Sequence, residues 1–229
     1  VYHIFAKSIE YYMSKIRPLL ARFFQQELRN SNALFSLGLY LLGITYLIYL
    51  LGGNNAADST WNTLLWVVVF FGTVSQASRS FDFESGDYFF YFQTLIGPGP
   101  TIIAKLVFNA AYMSVLSFLT WGLFSVFYGN TVFSPMLFAA GLLLGCIGFS
   151  VVLTLTNGIA QRTNGNATLS TVLAIPLLFP VLKLTSALNV QAMVGVPLID
   201  VLDLVGALTT LDIAIGLLAY LLFPYLWQD

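Results

Sequence analysis

Charge is scarce in this chain of 229 residues, because Asp, Glu, Lys and Arg together make up only 8% of it. Soluble domains carry about 25% charged residues, and so few charges cannot cover a water-facing surface. The hydrophobic share of 58% and the mean hydropathy of +0.84 agree with this reading. The low charge excludes an ordinary soluble domain and predicts an integral membrane protein.

Histidine and cysteine are almost missing, with His3 and Cys146 as the single examples. One cysteine allows no internal disulfide and no thiolate cluster, and Cys146 is expected to pack as a small apolar residue. One histidine cannot build a two-histidine heme site. Met113, Met136 and Met193 could ligate iron, but we expect them to serve packing. The chain is therefore predicted to bind no metal and no cofactor by itself.

A glycine–lysine pair is also missing, since the four lysines follow Ala6, Ser14, Ala104 and Leu182. A P-loop needs a lysine directly after its glycines to reach the phosphates, so ATP hydrolysis by that route is excluded. A Ser/His/Asp arrangement within the membrane is excluded because no histidine lies there. We predict a non-catalytic protein with no nucleic-acid partner.

Six continuous apolar runs are present, each long enough for a helix of roughly 20 residues to cross about 30 Å of hydrocarbon. The predicted spans are about Ala33–Leu51, Trp61–Ser78, Ile102–Tyr128, Pro135–Ile159, Ala167–Leu188 and Val205–Trp227. Backbone polar groups in lipid must pair within their own segment, so these spans are helices. The runs do not alternate as the strands of a membrane barrel would. The sequence predicts an all-α polytopic membrane protein with six transmembrane helices.

Lysine and arginine fix the predicted orientation, because cytoplasmic loops carry an excess of both. Eight of them fall on one side of the spans: Lys7, Lys15, Arg17, Arg22, Arg29, Arg79, Lys105 and Arg162. The other side has only Lys183, near the end of span five. Both termini are therefore predicted to be cytoplasmic.

The first 32 residues are the longest hydrophilic stretch, and residues 33–229 form the predicted membrane domain. Leu19, Leu20, Phe23 and Phe24 recur at helical spacing among arginines. This pattern is typical of an amphipathic helix on the inner membrane surface. A frayed basic tail is the alternative.

Charged, glycine and proline residues inside the spans form a second set of candidates. Asp212 lies within span six, where a carboxylate is a functional candidate by default; a position near the interface or a pair with Lys183 is the alternative. Gly141 and Gly145 form a GxxxG motif that allows close helix approach. Pro176 and Pro180 predict a kink in span five, either beside a cavity or as a packing irregularity.

The loop after span two is the densest polar feature, with charges first, then aromatic residues, then the Gly97–Pro100 turn. It predicts a short interfacial helix that anchors in lipid or docks a cytoplasmic protein. The loop between spans four and five, Gln161–Asn166, is expected to help in docking. The candidate docking residues of the two loops are Arg79, Asp82, Glu84, Asp87, Tyr88, Phe89, Gln161 and Arg162.

In order and position, these features resemble the heme exporter permease family of cytochrome c maturation, CcmB. The matching passages are Arg79-Ser-Phe, Leu95-Ile-Gly-Pro98, Ile102-Ile-Ala-Lys105, Leu144–Phe149 with Arg162–Gly165, and Leu173–Pro180. The resemblance covers roughly residues 16 to 227. It implies an ABC-2-like permease fold in the bacterial inner membrane.

The resemblance also implies partners. They would be a cytoplasmic ABC ATPase that handles ATP and Mg, a heme-handling membrane protein, a small single-span protein and a periplasmic heme carrier. Because ABC folds usually use two six-span units, we expect two copies of this chain per complex, or one copy with another permease. Heme would be handled by the complex. The alternatives are an ABC-2 exporter permease for a polysaccharide, lipid or drug, a passive scaffold, and an ion-coupled transporter, which would need more intramembrane charges.

Overall fold

The computed structural model describes residues 2–52, 58–82, 98–161 and 167–226, with side chains described for 15–51, 60–77, 99–160 and 168–222. These ranges contain seven α-helices and one short 3₁₀-helix, Leu198–Val201, and no strand. The α-helices are α1 Tyr2–Arg29, α2 Ser31–Gly52, α3 Asp58–Asp82, α4 Pro98–Tyr128, α5 Pro135–Gln161, α6 Ala167–Val194 and α7 Leu202–Leu226. The predicted all-α polytopic class is confirmed.

The helix ends follow local chemistry. Asn30 separates α1 from α2, and its Oδ1 accepts a hydrogen bond of 3.2 Å from the backbone N–H of Ala33, as an N-cap does. Pro98 and Pro135 open α4 and α5, where a missing N–H costs nothing. Gly129 and Gly195 follow α4 and α6 with positive φ, the left-handed conformation that ends helices.

Contacts between side chains show that α3, α4, α5 and α6 alternate in direction. Trp61 of α3 packs on Phe124 of α4, while Gln76 bonds Asn109 near the other end of the pair. Ser117 Oγ lies 3.2 Å from Cys146 Sγ, and the Trp121 ring packs at a tilt on Phe138, so α4 and α5 are antiparallel. Gly141 faces Asn189 and Gly148 faces Val181, so α5 and α6 are antiparallel too.

Contacts also fix the directions of the outer helices α7 and α2. A Cβ on Gly148 would touch Asp212, and one on Gly216 would touch Val151, so α5 and α7 are parallel. Near its end, α2 contacts the end of α4, where Tyr49 packs on Phe127 at a ring distance of 5.6 Å. Nearer the middle of both helices, Tyr40 of α2 and Leu116 of α4 lie beside the same residue, Gly72 of α3. Helix α2 therefore runs parallel to α4. We call the inner end the end of the bundle where α3, α5 and α7 finish and α2, α4 and α6 begin.

Five of the six predicted spans are confirmed as helices long and apolar enough to cross a membrane: Ser31–Leu51, Gly99–Tyr128, Pro135–Ala160, Thr168–Val194 and Leu198–Leu222. The second predicted span lies in α3, which has 25 residues but is less apolar. Its polar residues Asn62, Thr73 and Gln76 are buried among the other helices, so they do not meet lipid. Because α3 runs beside α4 from Trp61 to Gln76, it covers the same depth range of the bundle as the neighbouring helices.

The predicted amphipathic helix is present as α1. Its Leu19 is buried, whereas Arg17, Arg22 and Arg29 are exposed. Phe23 and Phe24 pack on Phe108 of α4 with ring distances of 5.7 and 5.1 Å. The helix therefore contacts the inner end of the bundle; its position on the membrane surface and the division at residue 32 stay predictions.

Candidate functional site

Gly141, Gly145 and Gly148 form a glycine seam on α5 that lets α6 approach closely. A Cβ on Gly145 would lie 2.6 Å from both the Thr185 methyl group and the Trp66 ring. A Cβ on Gly141 would run into the Asn189 side chain of α6. The predicted GxxxG contact is therefore a three-helix junction of α3, α5 and α6, with Gly148 extending it toward α7.

Asp212 of α7 faces Gly148, and its side chain occupies the space that a Cβ there would need. The residue is only 6% exposed, so it faces the bundle interior and not lipid. Neither carboxylate oxygen has a hydrogen-bond partner among the described residues. Lys183 lies on the exposed side of α6, so it is not the partner that the sequence offered as an alternative.

A second polar group, the polar layer, lies at the inner end and joins four helices. The Gln76 amide bonds Asn109 Oδ1 at 3.5 Å, and Asn109 Nδ2 donates to Thr154 Oγ1 at 3.0 Å. Ser170 Oγ donates to Asn157 Oδ1. These bonds tie α3 to α4, α4 to α5, and α5 to α6, and all five side chains are buried.

Sequence reasoning did not single out the polar layer as a site. Its signal was present, because Gln76, Asn109 and Asn157 are amide side chains inside or beside apolar spans, and such residues bond across helices. Lys105, one helical turn before Asn109, is also buried, with 1% exposure. The apolar pattern alone did not show that these side chains share one level of the bundle.

We expect Thr154→Val to destabilise the bundle by about 1 kcal/mol, because it leaves Asn109 Nδ2 buried without an acceptor. Thr120→Val is the matched control, since Thr120 is equally buried but bonds only the Leu116 carbonyl of its own helix, at 2.8 Å. Thermal unfolding of both variants in detergent measures the difference. Equal melting temperatures for the two variants would contradict an interhelical role for Thr154.

The remaining predicted residues lie on the exposed side of α6, at the ends of α3 and α5, or outside the described residues. Pro176 and Pro180 lie inside α6 on its exposed side, so their rings do not line an interior cavity of this chain. Arg79 and Asp82 belong to the end of α3, and Gln161 ends α5. Glu84, Asp87, Tyr88, Phe89 and Arg162 lie outside the described residues.

The helices that the two predicted docking segments join end and begin at the same end of the bundle. Helix α3 finishes and α4 begins on the side of Gln76 and Asn109, and α5 finishes and α6 begins on the side of Asn157 and Ser170. Helix α1 contacts the bundle at this end too, through Phe108. The described boundaries of all three sequence features predicted to be cytoplasmic therefore lie at the inner end.

Comparison with known families decides the assignment. Residues 15–221 match the family model described as CcmB protein. The chain belongs to the CcmB family. Neither a curated protein nor a solved structure matches it. Membership in the CcmB family, together with the apolar helices, makes this chain a multi-pass membrane subunit of an ABC-type heme export system for cytochrome c maturation.

Possible ligands for a metal are dispersed in this CcmB-family chain. The described residues contain no group of three His, Cys, Asp or Glu side chains that could hold a metal ion. Cys146 is buried and contacts the Ser117 hydroxyl at 3.2 Å. The buried polar groups of the described residues include the polar layer at the inner end and Asp212, which lies against Gly148.

Proposed function

We propose that this chain couples ATP hydrolysis by a partner ABC ATPase to the export of heme or to the release of a heme-loaded periplasmic carrier. One observation carries the proposal: both predicted docking segments join helices that the polar layer binds together at the inner end. A force applied at these two connections acts on α3, α4, α5 and α6 as one unit.

The partners follow from what the chain's own residues cannot supply. A lysine placed for a P-loop is missing from the sequence, so ATP and Mg belong to the cytoplasmic ATPase. Heme, the cargo, is handled by a membrane protein with a tryptophan-rich motif and passed to the periplasmic carrier, with a small single-span protein in the complex. We place two copies of this chain in the bacterial inner membrane, because ABC exporters pair two such helical bodies.

Motion in this scheme begins at the inner end. When two ATPase copies close, the connections after α3 and α5 move with them, and the polar layer transmits the movement to α4 and α6. Helix shifts of about 1–2 Å are the usual scale at such junctions. Farther along the bundle, the glycine seam packs through van der Waals contact and places Asp212 against α5, so a shift there changes the surroundings of the carboxylate.

The docking test replaces Asp82, Glu84 and Asp87 with alanine and measures the ATPase recovered with the purified membrane chain. We expect recovery to fall at least about tenfold, equivalent to about 1.4 kcal/mol, because charge pairs position protein interfaces. Asp200→Ala with Asp203→Ala is the matched control, since both carboxylates lie at the opposite end of the bundle. Full recovery with the triple variant would reject the 79–100 segment as the main docking site.

Deletion of the chain tests the cargo. We expect loss of c-type cytochromes in the deletion strain and their return with the wild-type chain. Normal cytochrome c levels in the deletion strain, with no heme absorbance in the purified complex, would favour an exporter for another substrate.

A further inference from the structure

Lys183 lies in the middle of the membrane-spanning bundle. On α6 it falls between Val181, which lies beside Gly148, and Thr185, which lies beside Gly145. Gly148 is the fourteenth of the 27 residues of α5, so this level is the midpoint of that helix. Lys183 was predicted near the end of a span that finished at Leu188. That placement is wrong because α6 continues to Val194.

The ammonium group of Lys183 has no partner within the part of the chain that the structure describes, and its side chain is exposed. A lysine side chain reaches about 6 Å, whereas the headgroups are about 15 Å from the bilayer centre. A charge at that depth costs about 2.5–3.5 kcal/mol on insertion scales. Lipid is therefore a poor neighbour for this position.

The surface around Lys183 has the spacing of a helix-packing face. Val172, Pro176, Phe179 and Lys183 recur at intervals of four, three and four residues, and all four are exposed. Such a stripe fits one neighbouring helix. Pro176 and Pro180 lack the N–H groups that would bond the carbonyls of Val172 and Pro176. These two carbonyls lie on the same helix face. Because an unpaired backbone carbonyl is unfavourable in lipid, they also favour a protein neighbour at this face.

We propose that this stripe, the Lys183 face, is the docking site for a transmembrane helix of a different chain that carries a carboxylate at mid-membrane depth. Charge complementarity selects this occupant over a second copy. Two copies meeting through this face would place lysine against lysine. The chain's own mid-depth carboxylate, Asp212, is buried against Gly148 and cannot reach a neighbour.

The proposal rests on the proposed function only in requiring a multi-subunit membrane complex. It is tested first with a photoreactive amino acid introduced at position 179 in native membranes, one helical turn from Lys183 on the same face, so that the lysine stays in place. Position 107 is the matched control, because Val107 is exposed on α4 directly after Leu106, whose carbonyl accepts a hydrogen bond from Ser150 of α5 near the same depth. We expect position 179 to crosslink to a transmembrane segment of another chain that carries an Asp or Glu within two turns, and position 107 to crosslink to lipid. Crosslinks from position 179 only to lipid, or only to a second copy, would overturn the proposal.

Charge exchange provides the second test. Lys183→Glu is expected to reduce co-purification of the crosslinked partner at least about tenfold, and replacing the identified carboxylate with lysine is expected to restore it. Lys183→Leu, in an exposed position, should melt at or above the wild-type temperature, which shows that the chain still folds. Failure of the reciprocal charge to restore binding would reject the ion pair. ATPase recovery in the same preparations is expected to stay unchanged, so failure here is distinct from failure of the inner-end docking.

Discussion

Gly145→Leu is expected to abolish assembly of the membrane bundle. The first atom of the new side chain would lie 2.6 Å from both the Trp66 ring and the Thr185 methyl group, so three helices would have to separate. Overpacking of a buried site costs about 1–3 kcal/mol and occasionally more, and here two rigid neighbours are affected together. We expect a loss of about 3 kcal/mol or more, seen as lost monodisperse protein in size-exclusion chromatography.

Gly43→Leu is the matched control, because Gly43 lies on the outer surface of α2 and a Cβ added there would meet no atom within 4 Å. That variant is expected to assemble normally and to gain about 0.5–1 kcal/mol, since glycine weakens a helix interior. Gly145→Ala should fall between the two. If Gly145→Leu assembles as well as Gly43→Leu, the close approach of α5 and α6 is wrong.

Asp212→Leu is expected to leave assembly intact while reducing cytochrome c maturation at least about tenfold. Both side chains branch at Cγ, so leucine fits the same space against Gly148. Removing a buried carboxylate that has no hydrogen-bond partner among the described residues should not weaken the fold and can stabilise it by up to about 3 kcal/mol. Carboxylates inside membrane helices mark functional sites by default, and Asp212 forms no bond within the described part of the chain that explains it structurally.

Two further variants show whether the loss of maturation comes from the lost charge of Asp212 or from a general effect of replacing an acidic residue in α7. Asp212→Asn keeps shape and polarity but removes the charge, so reduced maturation with Asn assigns the effect to the carboxylate. Asp203→Leu, on the exposed side near the start of α7, should leave maturation unchanged. The measurements are the melting temperature of the purified chain and heme-stained c-type cytochromes in cells. A lower melting temperature with normal cytochrome levels for Asp212→Leu would make Asp212 a structural residue.

Composition and apolar runs predicted the helical membrane class and placed the five helices that are long and apolar enough to cross a membrane, because a backbone in lipid has no alternative to internal pairing. The basic pattern of residues 15–29 likewise predicted α1. The sequence also singled out Gly145 and Asp212, since a GxxxG motif and an intramembrane carboxylate are conspicuous in an apolar run. Helix ends were less well predicted: α6 continues to Val194, past the last strongly apolar stretch.

Tertiary structure decided which side chains meet. The polar layer joins side chains from four helices, and Gln76 and Thr154 alone lie 78 positions apart in the chain, so the layer has no sequence signature beyond separate polar residues. The same holds for the orientation of α6, where Pro176, Pro180 and Lys183 share the exposed side and Thr185 the buried one. A membrane helix carries apolar residues on every face, so the hydrophobic pattern of its sequence does not show which face packs inside the bundle. The sequence by itself determined that the helices cross the membrane, because transfer to lipid depends on composition; only packing between helices decided which residues meet within it.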